Sequence, residues 1–369
     1  MRSTVALVCL TAGPGGVEHH VLDLAQSLRA SVDVVVVAAR GGWLDGRAKS
    51  AGLEVLTVPE PSGNADLRTL VSTRAALKQS RARIVHSHLA RSDWYAWLAT
   101  RGLKDVVLMS TEHGISDDRP DMYGGPVKRF AHQIGHRLRL RDTAVTIAVS
   151  QATARALMGR YARLRKSPPV VIRPGIDTDR FRSIRGPGRE AGQPLRVATI
   201  GRLAPEKGMS VLVGAVAICR DRGVLLDVTV AGSGPLRVSL EEQSRELALD
   251  RCIRFVGHVD DVTQILADCD VLAVPSLAEN LPLVVLEALS AGVPVVASDV
   301  GGVSEVVSPG VNGLLVPPSS DTGLAEALVL LAQNDALVQS MSQAAFESAD
   351  GFGLATAAQE TLAVYESLQ

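Results

Sequence analysis

The chain has 369 residues, 46% hydrophobic and 21% charged, a balance that excludes a disordered chain and one built of membrane spans. Aromatic residues make up only 3%, which argues against a base-stacking nucleic-acid surface, and the length points to two domains, each able to bury its own core. The net charge of −1 conceals an asymmetry, about +12 over residues 1–190 and about −13 over residues 191–369. It reads either as solvated charge on two lobes that attract each other, or as a basic first half facing an anionic membrane or acceptor.

In chain order, Met1-Arg2-Ser3 and the apolar run after it could pass for a short signal peptide. The run is short and leads directly into a glycine turn and an amphipathic helix, so a first β-strand over 4–10 is preferred. Further strands are predicted at 32–38, 54–58, 83–86, 106–110, 144–149 and 170–172, and helices at 16–30, 67–80, 93–101, 126–141 and 151–161. Residues 182–194 are polar and rich in Gly and Pro, as in a linker or exposed crossover. The pattern restarts with strands at 195–200, 227–231, 253–256, 271–274 and 295–297. Asn312-Gly313 marks a turn between short apolar runs, and helical periodicity runs from 322 to the C-terminus.

Strands that alternate with helices imply βαβ units and parallel sheets, here two doubly wound α/β domains in series. Ligands of such sheets bind beyond the carboxyl ends of the strands, so a site facing both sheets is expected. No run of about 20 apolar residues is found, so no transmembrane helix is expected. Cys9, Cys219, Cys252 and Cys269 have no metal-ligand spacing and read as buried free thiols of a reducing compartment.

Four motifs follow predicted strands. Gly13-Pro14-Gly15-Gly16 precedes a helix and could aim backbone N–H groups at an anion, though it lacks the dinucleotide spacing and equally reads as a tight turn. Arg202 and Lys207, in Gly201-Arg202-Leu203-Ala204-Pro205-Glu206-Lys207-Gly208, offer a fork and a point charge to one diphosphate, or are solvent-facing charges at a helix start. Ala231-Gly232-Ser233-Gly234 suggests backbone near a ligand but reads more simply as a strand–helix turn. Glu279 and Glu287, with seven residues between them, lie in an apolar stretch. A ribose diol could satisfy Glu287, and Glu279 lies nearer a sugar ring. A metal lacks further ligands there, and glycoside hydrolysis leaves Arg202 and Lys207 unexplained.

In this order and spacing, Gly201-Arg202, Glu206-Lys207-Gly208, Ala231-Gly232-Ser233-Gly234 and Glu279-Asn280-Leu281-Pro282-Leu283 through Glu287-Ala288 resemble the retaining glycosyltransferases of family 4, which have the GT-B fold. Gly15-Gly16-Val17-Glu18, Ser150 and Pro174-Gly175-Ile176-Asp177 also fit. Many relatives carry Asn where this chain has Pro174. The likeness is strongest over 201–316 and weak around 40–140, where such enzymes read their acceptors.

The resemblance implies two Rossmann-like domains facing across a cleft: 1–178 on the acceptor side, 179–350 binding the nucleotide sugar, and a C-terminal helix over 351–369 returning to the first. Arg202 and Lys207 would hold the donor diphosphate, Glu287 its ribose, Gly232 would lie against the donor, and backbone amides around Leu283 and Val284 would cap the phosphates. Gly15 and Gly16 would let the first domain approach the diphosphate. Glu279 and His113 would act on the transferred sugar, with Glu279 positioning it. Retention is usually ascribed in this family to attack on the face the phosphate leaves, with the phosphate as base.

The partners implied are a UDP- or GDP-sugar and a carbohydrate, lipid-linked or small-molecule acceptor, in polysaccharide or glycoconjugate synthesis, with no nucleic acid, no metal and no cofactor. A cytoplasmic enzyme is expected, with peripheral contact at the inner membrane face left open. A nucleotide-sugar epimerase of the same fold and a non-catalytic nucleotide-sugar-binding protein are the alternatives, and a nicotinamide oxidoreductase is disfavoured by the absent fingerprint.

Three features stand apart. His86-Ser87-His88 tempts a metal reading, but no third ligand is near in sequence, so a polar strand end is preferred. In the 126–141 helix, Val127, Phe130, Ile134 and Leu138 share one face flanked by basic residues, which suits a core-facing helix or docking on an anionic bilayer. Asp117-Asp118 and Asp260-Asp261 read as loop or cap acids rather than a metal pair.

Overall fold

A computed structural model describes residues 2–368 except 64, 115–125, 185, 187, 190 and 191, with the backbone alone for 126–133. Asp117, Asp118, the side chains of Val127 and Phe130, and four residues of the Gly/Pro-rich stretch therefore lie outside the described residues. The chain divides into two compact units, Met1–Gly175 with Leu354–Gln369, and Ile176–Gly353.

In unit 1, β1 (Thr4–Cys9), β2 (Asp33–Ala39), β3 (Glu54–Val58), β4 (Ile84–His88), β5 (Val107–Glu112), β6 (Val145–Ala148) and β7 (Val170–Val171) form one sheet. Its order is β3-β2-β1-β4-β5-β6-β7 and every pairing is parallel. The crossovers carry α1 (Gly16–Leu28), α2 (Trp43–Ser50), α3 (Leu67–Ser80), α4 (Ala90–Thr100), α5 (Pro126–Asp142) and α6 (Gln151–Tyr161). β1 and β2 are continuous apolar runs, buried over almost their whole length, as strands covered on both faces must be.

In unit 2, α7 (Thr178–Arg182) leads to β8 (Leu195–Ile200), α8 (Met209–Asp221), β9 (Leu226–Ala231), α9 (Arg237–Glu246), β10 (Ile253–Gly257), α10 (Thr263–Asp268) and β11 (Val271–Val274). Then come α11 (Leu283–Ser290), β12 (Val295–Ser298), β13 (Gly313–Val316), α12 (Asp321–Ala332) and α13 (Asp335–Ser348). The sheet order β10-β9-β8-β11-β12-β13 is that of a Rossmann sheet, with its switch point between β8 and β11. The last helix, α14 (Leu354–Ser367), returns to unit 1, where it packs on α1 and contributes Ala358, Val364 and Tyr365 to the core.

Four sequence expectations need correction. α2 was not anticipated, because Gly41 and Gly42 precede it, Gly46 interrupts it and its pattern is weakly amphipathic. The Asn312-Gly313 turn ends at Asn312, whose side chain accepts from Ser308 N–H at 2.7 Å and donates to the Val306 carbonyl at 3.0 Å. Gly313 already begins β13, where a Cβ would lie 2.2 Å from the Val295 carbonyl oxygen. The Gly/Pro-rich stretch belongs to unit 2: Gly186 lies against the Ala267 backbone and Arg189 pairs with Asp335.

The fourth concerns α5. Ile134 and Leu138 are exposed, at 42% and 43%, while Gly135, His136, Arg139 and Leu140 are buried. Gly135 lies against the Trp94 ring, and Arg139 is drawn inward by two acids. A buried ion network thus overrides the apolar stripe.

Candidate functional site

In unit 2 the predicted donor residues sit beyond the carboxyl ends of β8, β9 and β11, with Arg202, Lys207 and Gly232 in the connections and Leu283, Val284 and Glu287 on α11. Chain leaving β8 makes a 3-10 turn at Pro205–Lys207 and stops at Gly208, whose φ is +60°. A Cβ at Gly208 would lie 2.1 Å from the Pro275 carbonyl oxygen, so glycine lets this turn rest on the backbone beyond β11. The Leu277 N–H completes the joint by donating to the Glu206 carbonyl at 2.8 Å. That joint brings together residues far apart in sequence: the Lys207 ammonium pairs with Glu279, which also accepts from Ser276 Oγ at 2.9 Å. Glu279 is nearly buried and Lys207 half-buried. Arg202, largely exposed, pairs with Glu206 of its own loop.

Gly232 has a structural reason to be glycine. Its φ is +146°, and a Cβ would lie 1.8 Å from the Gly201 carbonyl oxygen. Backbone bonds from Leu203 N–H to the Ser233 carbonyl and from Leu236 N–H to the Leu203 carbonyl, at 2.9 and 3.0 Å, bind the β9 loop to the β8 loop.

α11 begins after Pro282 with no side-chain cap, leaving Leu283 and Val284 in its first turn, both partly exposed. Orphan N–H groups and the helix dipole make such a turn a natural partner for anions. Glu287 lies on the second turn and is half-buried, among buried Val285, Leu286, Ala288 and Leu289. Sequence reading passed over Gly301 and Gly302. Gly301 has φ +58° and would place a Cβ 1.9 Å from the Glu279 carbonyl oxygen, and Gly302 N–H donates to the Asn280 carbonyl at 2.6 Å. They press the Glu279 loop into place. The only sequence signal was a Gly-Gly pair after a strand.

In unit 1, Gly15 is the N-cap of α1 with extended backbone (φ −169°), so no left-handed conformation demands glycine there. A Cβ would meet only the flexible Glu18 carboxylate, and none would meet anything within 4 Å at Gly13. Glu18 is buried in the first turn of α1, where Thr11 Oγ1 donates to it. Ser150 and Asp177, also picked out in sequence, are N-caps of α6 and α7.

His113 follows β5, and its Nε2 lies 3.0 Å from His88 Nδ1 at the end of β4. His20, from α1, is the third member, with ring centroids 5.1 Å from His113 and 5.7 Å from His88. The third histidine that the sequence could not supply is therefore present in space, from two other elements. His86 is not part of it: its Nδ1 lies 2.7 Å from Tyr365 Oη and its Nε2 2.7 Å from Thr111 Oγ1. Burial pushes His20 down to about 4 and, helped by repulsion from His20, His86 down to about 3. Burial and the neighbouring imidazoles hold His88 and His113 well below the usual range. All four rings are uncharged at neutral pH.

Beneath them lies a buried ionic cluster that sequence reading missed. Arg139 pairs with Asp93 at 2.9 Å and Glu112 at 2.7 Å, and Ser87 Oγ donates to Asp93 at 2.5 Å. Burial pushes Asp93 up to about 7 against the pull of Arg139, whereas Glu112, equally buried, is drawn below its ordinary value by Arg139 and His136.

Residues 14–180 match the family described as Glycosyltransferase Family 4, and residues 194–334 match Glycosyl transferases group 1. The D-inositol 3-phosphate glycosyltransferase of Corynebacterium aurimucosum is 32% identical over 310 residues, covering 76% of this chain and 71% of that one. This chain belongs to the family 4 glycosyltransferases. The glycosyltransferase is also 35% identical to the D-inositol 3-phosphate glycosyltransferase of Kribbella flavida, over 77% of this chain and 71% of the relative. It is 31% identical to a glycogen synthase of Mycobacterium tuberculosis, over 77% and 69%.

Solved structures confirm the GT-B fold of the glycosyltransferase. Anabaena Alr3699/HepE in complex with UDP and glucose matches with a TM-score of 0.82 at 22% identity, covering 98% of this chain and 99% of that one. Sucrose-phosphate synthase from Thermosynechococcus elongatus matches at 0.83 and 21%, covering 100% and 99%. Among the described residues, no helix of the glycosyltransferase is long and apolar enough to cross a membrane.

Proposed function

We propose that this glycosyltransferase moves a sugar from a nucleoside diphosphate to a hydroxyl with retention of anomeric configuration, and that unit 2 holds the donor. The observation that carries the reading is the pairing of Lys207 with Glu279 beside the switch point between β8 and β11. A diphosphate sugar offers an anion for the ammonium and hydroxyl donors for the carboxylate at once. Arg202, and the first-turn amides of α11 at Leu283 and Val284, add positive potential where the departing diphosphate gains charge. Glu287 takes the ribose diol, and Gly232 keeps backbone close to the phosphates. For unit 1 we assign His113 to the transferred sugar and Gly15 and Gly16 to the diphosphate.

The cations and amides do the work of a metal, so transfer needs no divalent ion. A uridine donor is the first to test, since HepE is solved with UDP and with UDP-glucose. Two relatives named for inositol 3-phosphate support a small polyol phosphate among the carbohydrate or lipid-linked acceptors to be tried. Ile134 and Leu138, exposed beside Arg137 and Arg141 on α5, support peripheral contact with an anionic bilayer.

A panel of nucleotide sugars, scored by released nucleoside diphosphate with and without acceptors, tests this reading. Release that depends on an acceptor and survives chelator is expected. An altered sugar formed without acceptor identifies an epimerase, and binding without turnover identifies a non-catalytic protein. Lys207→Ala removes a charge-assisted contact of about 1.5–3 kcal/mol, so donor affinity falls by about 10- to 100-fold. Unchanged affinity removes Lys207 from the site.

A further inference from the structure

We propose that His20, His88 and His113 form a binding site for a zinc-class divalent cation, and that filling it suppresses sugar transfer. The second half rests on the role proposed for His113; the first stands on geometry alone. One ring nitrogen from each histidine lies within 4.8 Å of the other two. Zinc–nitrogen bonds of about 2.0–2.1 Å place tetrahedral ligands about 3.3 Å apart, so modest side-chain rotations close the set.

His88 supplies the strongest reason. The residue is wholly buried, and its Nε2 has no hydrogen-bond partner among the described residues. A buried ring nitrogen without a partner is costly, and a bond to a cation would satisfy it. His86 packs against the His88 ring, centroids 4.3 Å apart, with both of its own nitrogens engaged, so it supports the site without entering it.

The three ligands come from the helix after β1 and from the ends of β4 and β5. β1 and β4 flank the point where the strand order of unit 1 reverses, the place where such sheets gather ligands. Imidazoles without a carboxylate or thiolate favour zinc, copper, nickel or cobalt over magnesium and calcium. Three protein ligands leave a fourth position for water or a hydroxyl. A cation held there engages His113, the residue assigned above to the transferred sugar.

The test is a titration of the chelator-stripped full chain with cobalt(II), read by visible absorption, then competition with zinc. One equivalent per chain, displaced by zinc, is expected. His20→Ala and His88→Ala should each weaken cobalt binding at least about tenfold, and His19→Ala should leave it unchanged, with thermal melts reporting on folding. If His88→Ala does not fold, His20→Ala decides. No absorption band, or equal affinity in wild type and His20→Ala, overturns the site.

Turnover with and without zinc tests the consequence: zinc should inhibit the wild type and not His20→Ala, and a wild type indifferent to saturating zinc overturns the suppression. A chain that binds cobalt through these histidines but turns over no donor leaves the metal site standing and removes the transferase reading.

Discussion

The two units solve the problem of holding polar groups in opposite ways. In unit 2 the paired residues Arg202, Glu206, Lys207 and Glu279 lie in the connections after β8 and β11 and stay partly in contact with solvent. Glycine-to-backbone contacts at Gly208, Gly232 and Gly301 fix those loops. In unit 1 the polar residues are buried between elements: Arg139 from α5, Asp93 from α4, Glu112 from β5, and histidines from α1, β4 and the β5 loop. Exposed pairs are individually weak and replaceable, whereas buried ones cost several kcal/mol when a partner is lost. Damage to unit 2 should therefore fall on donor binding when a side chain is changed and on folding when a glycine is, whereas damage to the unit 1 cluster should fall on stability.

The sharpest break comes from Arg139→Met. It leaves Asp93 and Glu112 buried together without their cation, and should cost about 3–5 kcal/mol in urea unfolding. A loss under about 1 kcal/mol would place the cluster among the weak surface pairs.

Next in size is a glycine pair. Gly232→Ala forces a Cβ into the Gly201 carbonyl at a backbone angle that side chains avoid, and should cost about 2–4 kcal/mol. Gly15→Ala meets only a flexible carboxylate and should cost under about 1 kcal/mol. Equal costs at the two positions would end the claim that one glycine is structural and the other is not.

The third prediction uses pH. His20, His86, His88 and His113 titrate lower in the folded chain than unfolded, so below about 6.5 the unfolded state binds more protons. Their contribution is whole above that pH and is lost as pH falls toward about 4 for His20 and about 3 for His86. Asp93, pushed up to about 7, acts in the opposite sense between about 4 and 7, but it is one group against four. Stability of the metal-free chain should fall as pH drops from 6.5 to 4, by up to about 1.4 kcal/mol per pH unit for each net proton. His20→Gln should flatten that slope, as read from urea midpoints across the range.

The smallest effect is Tyr365→Phe, which removes the hydroxyl beside His86 Nδ1 and should cost about 1–2 kcal/mol in thermal or urea unfolding. It asks whether α14 is tied to the sheet by that bond or by packing alone.

The sequence by itself determined the alternation of strands and helices, most strand positions, and the glycine-rich and charged loops after β8, β9 and β11, because those signals are local. β-branched runs, glycines after strands and charged residues a few positions apart are readable without knowing what packs where. It could not foresee that Lys207 meets Glu279, that Gly301 braces the Glu279 loop, or that Gly313 opens a strand. Its default of a core-facing stripe on α5 fails at Ile134 and Leu138, which are exposed. Tertiary structure decided these because each depends on a group brought close by sheet order. Arg139 turns inward only where Asp93 and Glu112 wait for it, and three histidines become neighbours only when β1, β4 and β5 lie side by side.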